Sequence, residues 1–176
     1  MRRVLVPLTA LLALALPAAA TAHLLRGSGP NDGTLVVRNA DNGDGVGKDA
    51  RPVVTLVISG FVIGRVSGEG RIAIYDLDST DQSSPEVTGA EWHRDATTQD
   101  GISGTSWGGT QFTFRAVQGT YKVVIYGSGV YLFAGGQGRV WFTGQDGAPD
   151  GSYSINGDDW RSLPFSGMRI VNANAG

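Results

Sequence analysis

The sequence contains no cysteine, two lysines and two histidines, and after Arg2-Arg3 its basic residues are scattered singly. Without cysteine the chain can form no disulfide and carries no lipoprotein-type lipid attachment, so its stability must come from a buried core. Scattered basic residues also argue against the clustered lysine and arginine surface that neutralises nucleic-acid phosphates. We therefore expect no nucleic-acid partner.

The first residues have the composition of an export signal. Two arginines precede an apolar stretch at 4–16, and small residues follow up to Ala22. A charged start, a short apolar centre and an A-x-A end predict a signal peptide over residues 1–22, cleaved near Ala22. We therefore expect a secreted or extracytoplasmic protein, with one domain at 23–176 and no transmembrane segment in the mature chain.

Glycine is abundant, with 27 residues placed singly or in pairs between short apolar runs. At such places glycine supplies the positive φ of tight turns. No window after the signal peptide shows the i, i+3, i+4 apolar spacing of an amphipathic helix. The sequence predicts an all-β fold: a single-domain antiparallel sandwich or flattened barrel of about 8–10 short strands.

Two segments look like copies of one strand module. Ser59–Ile72 is similar to Ser128–Val140, and each copy follows a Gly-Thr strand that ends in arginine. This shared order predicts an internal repeat. Within the copies, the glycine-rich stretches at 67–70 and 135–138 predict tight hairpin turns between antiparallel strands.

Period-two alternation in the paired segments assigns side chains to the core. Two further runs, 53–58 and 121–126, are apolar on nearly every residue and predict central strands that are covered on both faces. Asn156-Gly157 predicts a hairpin after Tyr153, and 168–171 predicts a final strand. The alternation places the following side chains inward: Leu35, Val37, Ile72, Ile74, Phe112, Phe114, Val140 and Phe142.

Longer polar segments at 39–51, 77–89 and 95–108 predict surface loops, where a scaffold usually carries its function. The last of them has no counterpart before the first module, and Trp92 and Trp107 lie near its ends. We therefore expect the function specific to this protein to lie at this loop.

One motif suggests a hydrolase. Residues 104–108 match the G-x-S-x-G pattern around Ser106, but that pattern needs a preceding strand, a following helix and a downstream histidine. Here a polar loop precedes, a strand follows and no histidine occurs after His93. His93 and Ser106 with Asp95 or Asp100 supply the residue types of a triad, yet such close neighbours rarely converge on one point. A hydrolase using Ser106 therefore ranks last, we lean towards a protein that is not an enzyme, and we expect no cofactor.

A metal-binding site is the alternative to a binding surface made of protein side chains alone. Cleavage at Ala22 would make His23 the N-terminal residue, with an amine and an imidazole available to copper, and its context loosely resembles the start of exported copper-carrier β-sandwiches. Such a site needs a further histidine, for which His93 is the candidate. This gives an alternative function, an exported copper-binding protein that uses His23 and His93.

Tryptophans are the remaining candidates for binding. Trp92, Trp107 and Trp160 lie in or beside predicted loops, where their large apolar faces could stack on sugar rings or close the ends of the core. Trp141 falls on the face opposite the core residues beside it, and we expect it to pack under a loop. The leading interpretation is a non-catalytic exported β-domain that binds an extracellular or cell-surface partner, with glycan as one candidate ligand.

Several motifs together resemble a group of small exported proteins from high-GC Gram-positive bacteria. The resemblance covers most of the mature chain, and the high usage of arginine over lysine fits such genomes. It implies a shared fold and carries no activity over. The motifs are Gly33-Thr34-Leu35, Glu69-Gly70-Arg71-Ile72, Pro85-Glu86-Val87-Thr88-Gly89, Gly109-Thr110 and Tyr153-Ser154-Ile155-Asn156-Gly157.

Overall fold

A computed structural model describes residues 32–78, 80, 84–144, 150–164 and 167–172. The predicted signal peptide and His23 lie outside these residues. Throughout the described part the chain is all β, as predicted, and no helix there is long and apolar enough to cross a membrane.

The described residues form eleven strands in one antiparallel sheet, whose hydrogen-bonded order is β10-β9-β1-β8-β2-β7-β3-β6-β5, with β11 paired to β8 and β4 to β7. The central strands β2, β7 and β8 have 13, 16 and 15 residues, which makes them much longer than the short strands that we expected. The strands are β1 Gly33–Asp41, β2 Val54–Val66, β3 Gly70–Asp76, β4 Glu86–Thr88, β5 Trp92–Thr97, β6 Ser103–Gly109, β7 Phe112–Gly127, β8 Val130–Gly144, β9 Asp150–Ile155, β10 Arg161–Ser162 and β11 Gly167–Asn172.

Glycines lie side by side where the three long strands run together, and we call this level the glycine ridge. Gly60 of β2 pairs with Gly119 of β7 on one side and with Gly136 of β8 on the other. Gly60 and Gly136 have φ values of 148° and 136°, which L side chains rarely adopt. A Cβ on Gly60 would lie 2.2 Å from the carbonyl oxygen of Gly135. The prediction of a hairpin turn at 135–138 is therefore wrong, because these glycines continue β8 and allow its neighbour to approach.

The sheet does not close; it folds over at the glycine ridge into two layers, as a sandwich does. Layer A contains the first half of β2, the second halves of β7 and β8, and strands β3, β5, β6 and β11. Layer B contains the other halves with β1, β4, β9 and β10. The ring of Phe142 in layer A stacks on that of Tyr153 in layer B, with centroids 4.6 Å apart.

The inward side chains of both layers form one hydrophobic core. All of the side chains that alternation assigned to the core are buried, which confirms that prediction. A bulge in β7 at Gln118, where φ is 61°, changes which residues face inward, from Ala116 before it to Tyr121 after it. The Tyr121 hydroxyl donates to the carbonyl of Val117 at 3.0 Å, so the buried phenol has a partner.

Two short connections lie against each other at the end of the sandwich opposite the ridge. Residues 67–69 join β2 to β3, and residues 128–129 join β7 to β8. The amide of Ser67 donates to the carbonyl of Gly129 at 3.1 Å. The prediction of a hairpin at 67–70 is wrong, because β7 lies between β2 and β3 and the connection passes from layer B to layer A.

The predicted module copies occupy different places in the fold. Ser59 lies within β2 beside the glycine ridge, whereas Ser128 lies in the connection after β7. The internal repeat stays a prediction.

The segment predicted as a loop at 95–108 is instead most of a β-hairpin, formed by β5 and β6. Its Ser- and Gly-rich sequence has little strand propensity. However, β6 pairs with β3, and this tertiary contact stabilises the strand conformation. The prediction of a hairpin around Asn156-Gly157 is confirmed by β9 and β10, and the predicted last strand by β11.

Candidate functional site

The structure does not bring the three predicted binding tryptophans together. Trp92 lies on β5 at one end of the sheet order, and Trp160 lies just before β10 at the other end. Trp107 pairs in register with Ile72, a core residue, and packs against the core. These three residues therefore do not form one surface.

Trp92 and Trp160 are both exposed, and each already contacts other protein groups. A Cβ placed on Gly108 would lie 2.2 Å from the Trp92 ring, so that ring rests on the backbone of β6. The guanidinium carbon of Arg38 lies 4.0 Å from the centroid of the Trp160 ring.

His93 and Ser106 both lie in the β5–β6 hairpin, but they are not cross-strand partners. His93 is exposed and pairs with Trp107, while Ser106 is buried and pairs with Arg94. The Ser106 hydroxyl donates a hydrogen bond to the carbonyl of Ile72 at 3.2 Å. The nucleophilic serine of a G-x-S-x-G motif is instead exposed on a sharp turn. Among the described residues, no group of three or more His, Cys, Asp or Glu side chains could hold a metal ion.

A groove crosses the outer face of layer A, and we call it the layer-A groove. It consists of three adjoining cavities of about 450, 380 and 440 Å³. The first shares Thr55 and Lys122 with the second, and Val57 and Trp141 with the third. Side chains from β2, β3, β7 and β8 therefore line one continuous surface.

Strand alternation places the groove side chains of the central strands outward, and several of them lie between two core residues. Trp141 lies between the buried Val140 and Phe142, and Lys122 lies between the buried Tyr121 and Val123. The same pleat that fills the core thus exposes the groove residues on the opposite face.

Register then aligns the groove residues in rows across the strands. Arg139, Val57, Lys122 and Tyr75 are consecutive partners on β8, β2, β7 and β3. The neighbouring row contains Trp141, Thr55 and Val124 on β8, β2 and β7. A ligand that lies across the strands would meet aromatic, hydroxyl and cationic groups in turn.

Aromatic rings and cations are also paired along this face. The guanidinium carbon of Arg71 lies 4.0 Å from the centroid of the Tyr126 ring, and the Lys122 amine lies 6.0 Å from that of Tyr75. Burial raises the pKa of Tyr75, and nearby Tyr126 adds to the rise while Arg71 opposes it. The Tyr75 phenol therefore keeps its proton and can donate a hydrogen bond.

The charge of the groove is unbalanced. Among its described lining residues, Asp100 carries the only carboxylate, against the cations of Arg51, Lys122 and Arg139. The Arg51 guanidinium is held by Asp44, with Nε 2.8 Å from a carboxylate oxygen. The groove is thus a positive region on a chain whose formal net charge is −2.

The outer face of layer B carries a different depression of about 490 Å³. Its floor includes Val36, Ile63 and Phe133, and the Phe133 ring contacts that of Phe61 at 5.4 Å between centroids. At its rim Arg115 and Glu86 form an ion pair, with Nε 2.9 Å from a carboxylate oxygen. Two further arginines line this depression, and each lies over an aromatic ring: Arg38 over Trp160 and Arg65 over Tyr131.

Sequence reasoning missed most of the groove. It placed Trp141 on the outer face but assumed cover by a loop, and it assumed that the runs at 53–58 and 121–126 were covered on both faces. The polar residues Thr55 and Lys122 within those runs were the available signal, because a strand buried on both faces rarely contains them.

Comparisons with known proteins return no match to this chain among family models, curated proteins or solved structures. The resemblance to small exported proteins of high-GC Gram-positive bacteria stays a prediction.

Proposed function

We propose that this protein is an exported, non-catalytic binding domain that holds a polysaccharide chain in the layer-A groove. The observation that carries the proposal is the position of Trp141, which lines two adjoining cavities of an open groove. An indole offers a large apolar surface with a polar edge, which suits the mixed apolar and hydroxyl faces of a sugar ring.

The polar groups of the groove support the same ligand class. Hydroxyls of Thr55, Ser59 and Thr120 and the amide of Gln137 line its cavities. Binding sites for small polar molecules combine an apolar floor with a few such donors and acceptors that fix orientation. Sugar hydroxyls match this set because each can donate and accept.

Binding without hydrolysis fits the carboxylate content of the groove. Glycoside hydrolases use two carboxyl groups on either side of the scissile bond. In the described lining of the groove only Asp100 has one, and it lies at the end next to the tip of the β5–β6 hairpin. The signal-peptide prediction adds that the polysaccharide would be met outside the cell.

The test is retention of the purified protein on insoluble polysaccharides, including bacterial cell wall, followed by titration of the soluble form of any that bind. We expect Trp141→Ala to weaken binding at least tenfold, on the order of 1.4 kcal/mol, while thermal unfolding changes little. Trp160→Ala is the matched control and should bind like the parent. Retention of Trp141→Ala at parental affinity, or no retention of the parent on any polysaccharide, would count against the proposal.

A further inference from the structure

We infer that the polysaccharide bound in the layer-A groove carries carboxylates on alternating sugars, and that Lys122 and Arg139 bind them. This inference rests on the proposed function and specifies its ligand. It follows from the sign, number and spacing of the charges in the groove.

The sign of the charge favours an anionic chain. Lys122 lies where two of the cavities meet, and among the described residues no carboxylate forms an ion pair with it. Arg139 is exposed and lines the third cavity, and its five N–H donors suffice for a carboxylate as well as a protein neighbour. Cations in the groove of a chain whose formal net charge is −2 favour an anionic ligand at that place.

The spacing of the two cations favours one charge on every second sugar. Lys122 and Arg139 are both register partners of Val57, so they lie two strands apart in one row. With adjacent strands about 4.8 Å apart, their backbones are separated by about 10 Å across the sheet. This is about the length of a disaccharide, so successive carboxylates of an alternating chain would meet the two cations in turn.

The number of charges argues against a densely sulfated or phosphorylated chain. Proteins that bind strongly charged polymers present many clustered cations. Here Arg51 is already paired with Asp44, and the whole chain has 14 basic against 16 acidic residues. A chain with a charge on every sugar would leave about half of its anions without a cation in the groove.

Neighbouring groups suit carboxylate binding at Lys122. The amine lies over the Tyr75 ring, which positions it on the groove floor, and the Tyr75 hydroxyl can donate to the same carboxylate. Trp141 in the adjoining row would then stack on the sugar next to the charged one.

The experiment compares hyaluronan, whose carboxylates alternate along the chain, with carboxyl-reduced hyaluronan, which keeps the same backbone without charge. Titration calorimetry of the whole protein should show at least a tenfold preference for hyaluronan over the reduced polymer. Dextran sulfate, which is densely charged, should bind more weakly than hyaluronan.

Substitutions of the two cations then test whether they cause the preference for hyaluronan over the reduced polymer. Lys122→Gln and Arg139→Gln should each lower hyaluronan affinity about fivefold or more and leave binding of the reduced polymer unchanged. Lys48→Gln makes the same change of charge at an exposed loop residue outside the groove and should have no effect. Thermal unfolding of each variant shows that the fold is intact.

The outcomes separate the inference from the proposed function. Equal binding of both polymers, or tighter binding of dextran sulfate, overturns the inference while Trp141-dependent binding preserves the function. Retention of the protein on neutral polysaccharides alone would likewise overturn the inference and preserve the function. A hyaluronan preference that both glutamine variants retain overturns the assignment to Lys122 and Arg139.

Discussion

The rings of Phe142 and Tyr153 stack with their centroids 4.6 Å apart and their planes at 27°, although β8 and β9 are not hydrogen-bonded neighbours. β1 lies between these strands in the sheet order, and only the fold at the glycine ridge brings the two rings together. This contact is between the two layers and not along a ladder. It therefore reports on the packing of the sandwich itself.

Phe142→Ala should lower the free energy of unfolding by about 3–5 kcal/mol, because a fully buried ring is lost and the stack on Tyr153 leaves a cavity. Urea unfolding followed by tryptophan fluorescence measures the change. Ile63→Ala is the control: this side chain on the outer face of layer B is 36% exposed, so its truncation should cost less than about 1 kcal/mol. Similar losses in the two variants would contradict the two-layer packing.

The glycine ridge leads to a second prediction. A methyl group at Gly60 would lie 2.2 Å from a backbone oxygen that cannot easily move. Gly60→Ala should cost about 3 kcal/mol or more, through overpacking and an unfavourable φ. Gly47→Ala provides the matched change at a loop glycine with open space around it, and it should be nearly neutral. Soluble yield and urea midpoints of the two variants decide the point; a neutral Gly60→Ala would show that the strands do not approach so closely there.

The core was predictable because alternation is a local signal that needs only the parity of each residue. Leu35 and Phe112, far apart in the chain, were both assigned inward in this way, and both are buried. The glycine ridge was not predictable, because the reason for Gly136 is the backbone of β2 beside it, which sequence spacing does not reveal. Three glycines within 135–138 are typical of a hairpin turn when no neighbour is known.

The groove was predictable only in part, for a related reason. Alternation placed Trp141 on the outer face, but whether an outer face is covered depends on which distant segment packs there. The β5–β6 hairpin extends layer A sideways, with its tip at one end of the groove, and the described part of the chain leaves the rest of that face open. The partial exposure of Trp141 is thus a property of strand order.

An ion pair in the loop before β2 leads us to predict how the stability of the fold depends on pH. Asp44 accepts hydrogen bonds from Nε of Arg51 at 2.8 Å and from its amide at 3.1 Å, which lower the pKa of the carboxyl group. Because the pKa is lower in the folded than in the unfolded chain, ionised Asp44 stabilises the fold above about pH 4, and this contribution is lost as the pH falls through the lowered value. Asp44→Asn should therefore be less stable than the parent at pH 7.

The difference between Asp44→Asn and the parent should shrink between about pH 5 and pH 2, as measured by urea unfolding at each pH. Asp49→Asn, at an exposed position in the same loop, should differ little from the parent across this range. A constant difference between Asp44→Asn and the parent at all pH values would show that the carboxylate charge is not what stabilises the loop.

The tryptophans allow stability and binding to be separated in one set of variants. Trp107→Ala should lower the free energy of unfolding by about 2–4 kcal/mol, because the ring packs against the core. Trp160→Ala should cost less than about 1 kcal/mol, the scale of its exposed contact with Arg38. Urea unfolding and polysaccharide retention are measured on the same preparations, with Trp141→Ala beside them. If Trp160→Ala abolished retention at unchanged stability while Trp141→Ala did not, the binding surface would belong to layer B, next to Trp160, and not to the layer-A groove.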